Sequence, residues 1–82
     1  MRLRNLASNF YELELGKVDI YFSYETPIAF RTNGKLVVSE NAWGNTTGKH
    51  LNQIDGGDKK GRISREEFKS LLETTLKGLG LA

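Results

Sequence analysis

Two stretches of this chain hold residue types at spacings that metal and phosphate chemistry use. In the first, Gly56 to Phe68, Asp58, Gly61, Ile63 and Glu67 sit where a calcium-binding loop places a ligand, its sharp-turn glycine, its central apolar residue and its bidentate carboxylate. Calcium needs about 6–8 oxygen ligands at fixed loop positions. Here the first ligand position is Gly56 and the fifth is Lys60, whose ammonium repels a cation. The same residues explain a helix start: Ser64 as N-cap, Glu67 as its capping-box partner, Ile63 and Phe68 as a hydrophobic staple. No metal is expected.

The second stretch, Trp43-Gly44-Asn45-Thr46-Thr47-Gly48-Lys49-His50, lies where a phosphate-binding loop would pass from strand to helix. Its glycines have three residues between them instead of four, and His50 stands where a hydroxyl would hold magnesium. Nucleotide hydrolysis is therefore not expected. The stretch keeps a helix start whose free N–H groups, beside Thr46, Thr47 and Lys49, suit one phosphate or carboxylate. The plainer reading makes Thr46 or Thr47 the N-cap and leaves Lys49 solvated. His50, the one histidine, has no carboxylate at an obvious partnering distance and reads as a hydrogen-bonded structural residue. Without cysteine or a nucleophile-elbow motif, the chain is read as a non-enzyme without cofactors.

Charge supplies a different kind of site. The net charge is only +2 over 82 residues, too small by itself to identify a nucleic-acid binder. Residues 1–45 are balanced, and the excess gathers at Lys59, Lys60, Arg62 and Arg65. Trp43, next to Gly44, is the aromatic most suited to an exposed anchor. The candidate partner-binding set is therefore Trp43, Thr46, Thr47, Lys49, His50, Lys59, Lys60, Arg62 and Arg65.

The elements that position these residues follow from periodicity. Phe10–Leu15 and Lys17–Tyr24 read as strands joined at Gly16-Lys17, with Val18, Ile20, Phe22 and Tyr24 on one face. Pro27 marks a strand end or edge, because it cannot donate to a ladder. Ile28–Thr32 and Lys35–Glu40 flank Asn33-Gly34, the pair that a two-residue hairpin prefers. The period then changes: a short helix is expected over about 46–54 and a longer one over about 64–79, with Phe68, Leu71, Leu72, Leu76 and Leu79 as its apolar stripe. The expected fold is α+β, one domain over 1–82. A four-stranded antiparallel sheet (about 9–40) is followed by the short and the longer C-terminal helix, both packed on one face. No apolar segment follows the basic Met1–Arg4, so neither a signal peptide nor a membrane partner is expected.

Ser23-Tyr24-Glu25-Thr26-Pro27-Ile28-Ala29-Phe30-Arg31 and Thr46-Thr47-Gly48-Lys49-His50-Leu51 resemble segments of a family of small proteins frequent in bacteriophage and prophage genomes. The resemblance covers about residues 18–54 and implies a bacterial cytoplasm and an accessory role. It implies that Thr46, Thr47, Lys49 and His50 do more than start a helix. The leading expectation is a phage-type accessory protein that binds and inhibits or redirects a host protein, with an anti-defence inhibitor its most concrete form. The alternative is a small nucleic-acid-binding module that uses the basic loop and exposed aromatics. A third reading is a homo-oligomer that seals a strand edge near Pro27.

Overall fold

The computed structural model describes residues 1–81. Alternating side chains in the first half form an antiparallel meander: β1 (Arg2–Ala7), β2 (Phe10–Glu14), β3 (Val18–Ser23), β4 (Thr26–Thr32) and β5 (Lys35–Ser39). The chain continues through α1 (Asn45–Asp55), a 3-10 turn over Lys59–Gly61, β6 (Arg62–Ile63) and α2 (Arg65–Gly78). β6 returns parallel to β5, so the six strands lie in chain order in one mixed sheet.

The α+β class, the meander and the two helices agree with the sequence reading, and the sheet gains a strand at each edge. β1 escapes that reading because five of its six residues are exposed, leaving no apolar alternation to detect. β6, at two residues, is too short for alternation to show.

The helices do not share a face. Cross-strand neighbours Ala29 and Val38 join Leu51 of α1 in one buried cluster. The next pair along, Phe30 and Val37, packs with Phe68 and Leu72 of α2 in another. Adjacent residues of a strand point to opposite faces, so α1 covers one side of the sheet and α2 the other. The parallel β5–β6 pairing is the reason: α1 is the crossover between them, and α2, following β6, returns over the uncovered side. This makes β4 central, with Ile28, Ala29 and Phe30 all buried. A bulge permits three buried residues in succession. Tyr21 pairs with Ala29 and Phe22 with Pro27, so Ile28 is the extra residue and the strand's alternation shifts there.

Two turns carry the local detail. Asn33 and Gly34 both have positive φ (52° and 75°), as the tight hairpin requires. Tyr24, expected on the apolar face of β3, instead leaves the strand with φ 57° and is 49% exposed. Pro27 is the second residue of β4, at a strand end as the sequence allowed, but that strand is interior and not a sheet edge. β5 pairs only with Ala29 to Thr32, so no ladder bond from that side is lost at Pro27. The open edges are β1 and β6.

Candidate functional site

α1 starts at Asn45, and its N-cap is Gly44, not Thr46 or Thr47. Gly44 offers no side chain to the first turn. Asn41 organises the start instead: its Oδ1 accepts from the Trp43 N–H (3.0 Å) and its Nδ2 donates to the Gly44 carbonyl (3.1 Å). Gly48, one turn on, lets that amide lie close, since a Cβ there would meet Asn41 Nδ2 at 3.0 Å.

Thr47, His50 and Leu51 form the buried side of the helix. His50 Nε2 lies 3.2 Å from the Ser8 carbonyl and Nδ1 lies 2.7 Å from Ser23 Oγ. A carbonyl only accepts, so Nε2 carries a proton, and in the neutral imidazole Nδ1 accepts from the Ser23 hydroxyl. Ser23 Oγ is then free to accept from Thr47 Oγ1, 2.9 Å away. The His50 ring stacks on Phe10, with centroids 4.7 Å apart and planes within 5°. The Ser23–His50 contact has the outline of a serine–base pair. However, Ser23 is 2% exposed and its hydroxyl is committed on both sides. The arrangement ties α1 to β2, β3 and the Ser8 turn.

Arg62 is held in the same way. Its Nε and Nη2 clasp both Asp55 oxygens (2.8 and 3.0 Å), and Nη2 also donates to Asn52 Oδ1 at 3.0 Å. The two side chains are 6% and 10% exposed. The Arg62 hydrogen bonds hold the Asp55 carboxyl below the usual carboxylate range, and the Gly57 N–H adds to the effect. Reciprocally, Asp55 raises the Arg62 guanidinium above its ordinary value. This pair closes the far end of α1 against β6. Arg65 lies over the Trp43 ring, 4.7 Å from its centroid, while half-buried Trp43 packs against the α1-side cluster. Asp58 caps the 3-10 turn by accepting from Lys60 N–H, and Ser64 Oγ accepts from Glu67 N–H to start α2.

The nine residues singled out in the sequence therefore divide. Thr47, His50 and Arg62 are committed to internal contacts, and Trp43 and Arg65 engage each other. Thr46, Lys49, Lys59 and Lys60 stay exposed. Lys49 and Lys59 both line an open groove of about 710 Å³, whose other lining residues include Glu40, Asn41, Asn45 and Asn52. Among the described residues, no carboxylate pairs with either lysine. Sequence reasoning missed the asparagines. Their signal was present: Asn45, Lys49 and Asn52, spaced four and three apart, fall on one helical face. A smaller cavity of about 310 Å³ flanks the start of α1 and is lined by Ser23, Tyr24, Thr26, Trp43, Thr46 and Thr47, among others. Lys60 lines neither hollow.

Fold and groove together describe a small α+β domain with a polar groove beside its crossover helix. A model of a family of unknown function (DUF8033) matches residues 1–70, and the chain belongs to that family. No curated protein and no solved structure matches it. No helix among the described residues is long and apolar enough to cross a membrane.

Proposed function

We propose that this protein is a non-catalytic, phage-type accessory protein that binds a host protein and inhibits or redirects it, and that the groove beside α1 receives an extended segment of that partner. The supporting observation is the groove's mixed lining. Asn45 presents an amide, Lys49 and Lys59 donate, and Glu40 accepts, while the Asn41 amide is engaged by Trp43 and Gly44. A polypeptide backbone offers both N–H and C=O groups and satisfies such a surface, whereas a phosphate backbone offers only acceptors. About 800 Å² of surface per partner suffices for a stable complex of this kind. The resemblance of residues 23–31 and 46–51 to phage-associated proteins supports the accessory role, an anti-defence version of it, and action in a bacterial cytoplasm.

Nucleic-acid binding is the second reading, favoured by Lys49 and Lys59 in the groove and Lys60 beside it. Its resources are reduced, since Arg62 is bound to Asp55 and one face of Trp43 is covered by Arg65. The deciding experiment is a pull-down from host lysate with and without nuclease, comparing the wild type with the exposed-site variant Asn45→Ala/Lys49→Glu. The binding reading expects a host protein retained near stoichiometrically after nuclease treatment and lost with the variant, whose melting temperature stays close to wild type. Retention of nucleic acid, with every protein partner lost on digestion, overturns it.

A further inference from the structure

β1 ends the sheet with its outer backbone groups unpaired among the described residues. Sheet edges attract further strands and are commonly blunted by shortness, bulges or charge. The opposite edge is short: β6 has two residues. β1 has six, and its bulge falls late, at Leu6, leaving Arg2 to Asn5 in regular register with Glu14 to Tyr11. Leu3 is 66% exposed.

The two sides of β1 differ in chemistry. Arg4 pairs across the sheet with Glu12, then Tyr21, then Ala29, which places Arg2 and Arg4 on the α1 side. Leu3 pairs with Leu13, then Ile20, then Phe30, and so faces the α2 side. Charge runs in rows on the α1 side, where Arg2, Glu14, Asp19 and Arg31 stand opposite one another on successive strands. The outermost row is cationic. Arg4 is engaged by Glu12 and Glu14 (3.1 and 3.3 Å), whereas Arg2 is exposed, with no carboxylate pairing with it among the described residues.

We propose that β1 accepts an additional strand from another protein, one that alternates acidic and apolar residues. Its carboxylates would lie on the α1 side, where Arg2 is the cation left without a carboxylate among the described residues, and its apolar side chains beside Leu3. A second copy of this chain fits poorly. Two-fold antiparallel pairing of the regular stretch sets Arg4 against Arg4 or Arg2 against Arg4, and like charges directly opposite destabilise a ladder. An acidic strand meets an unpaired cation at Arg2, Arg4 being already engaged by Glu12 and Glu14, while the backbone supplies affinity and the alternation supplies register. The edge lies across the sheet from β5, β6 and the groove, so its occupancy does not depend on the reading given to the groove.

The test uses the full chain and four synthetic probes. These are a capped eight-residue peptide alternating glutamate and valine, its lysine–valine counterpart, and the acidic peptide N-methylated on either alternate set of residues. Binding is followed by fluorescence anisotropy, and its location by hydrogen exchange of the β1 amides. The acidic peptide is expected to bind and slow β1 exchange, and the lysine peptide to do neither. One methylated set loses binding and the other keeps it, because only alternate N–H groups of an added strand face the edge. Arg2→Glu weakens the acidic peptide by about fivefold or more, while Lys49→Glu in the groove leaves it unchanged. Equal binding of both charge types, indifference to both methylation patterns, or no slowing of β1 exchange at the highest peptide concentration overturns the proposal. So does ultracentrifugation showing a dimer whose β1 amides are already protected, which assigns the edge to a second copy.

Discussion

The two faces of the sheet are closed by different means. On the α2 side, Val18, Ile20, Phe30, Phe68 and Leu72 form a buried apolar cluster, with Leu76 and Leu79 packed against it, and the rings of Phe30 and Phe68 meet at 5.6 Å. Closure there is by area, which tolerates small shifts and needs no hydrogen-bond geometry. On the α1 side, Leu51 is the helix's fully buried apolar residue. Phe10, Ile28, Ala29 and Val38 of the sheet bury it, and directed polar contacts are added to that apolar cluster: Thr47 and His50 of α1 with Ser23 of β3, and Arg62 with Asp55 at the far end. α1 carries Asn45, Gly48 and Asn52, residues with poor intrinsic helix propensity, so it depends on those contacts for its position. The contrast shows how one small sheet holds a stable wall and a chemically varied one. The varied wall is the one that presents the groove.

The largest expected effect breaks the apolar side. Phe68→Ala removes the side chain that joins α2 to Phe30 and should cost about 3–5 kcal/mol, read as a fall in the denaturant midpoint with a preserved unfolding slope. A loss below about 1 kcal/mol would mean that α2 contributes little to closure.

The next change breaks the polar side at its far end. Arg62→Ala leaves the Asp55 carboxylate nearly buried without its partner and should cost about 3 kcal/mol at neutral pH. This effect has a pH signature. The folded Asp55 carboxyl titrates below its unfolded value near 4. Its stabilisation is therefore complete above that value and is lost as the pH falls through the lowered folded value. Stability measured against pH should show the gap between wild type and Arg62→Ala narrowing in acid, whereas the Phe68→Ala gap should stay constant. Parallel acid limbs for all three proteins would remove the distinction between the faces.

The smallest effect sharpens the comparison at the helix start. Ser23→Ala leaves His50 Nδ1 without its donor in a buried site and should cost about 1–3 kcal/mol. Its mark is local: amide exchange should quicken in α1 while the α2 amides keep wild-type protection. Equal acceleration in both helices would show that the network supports the whole core.

Much of this architecture was legible beforehand because its causes are local. Asn33-Gly34 announces its hairpin through the positive φ that both positions require. Ser64 with Glu67, and Ile63 with Phe68, announce the start of α2 within five residues. The apolar spacing of Phe68, Leu72, Leu76 and Leu79 names the face that α2 packs on the sheet, whereas Leu71, expected in the same stripe, is 41% exposed. The candidate site was half legible. Lys49 and Lys59 were singled out by type, but their shared groove was not visible, because residues ten apart in sequence come to line one hollow only once β6 has returned beside β5. The commitments of His50 and Arg62 were equally hidden: Ser23 lies 27 residues from His50, and Ser8 lies 42.

The sequence by itself determined the α+β class, the hairpin, the capped C-terminal helix and the absence of thiol chemistry, since each follows from periodicity, from backbone preference or from a missing residue type. Only the tertiary structure decided that the helices take opposite faces, that Arg62 is a strut while no carboxylate pairs with Lys59 among the described residues, and that β1 is the longer of the two edge strands. Those outcomes depend on the parallel return of β6, a long-range pairing of two residues that is too short to leave a pattern in the chain.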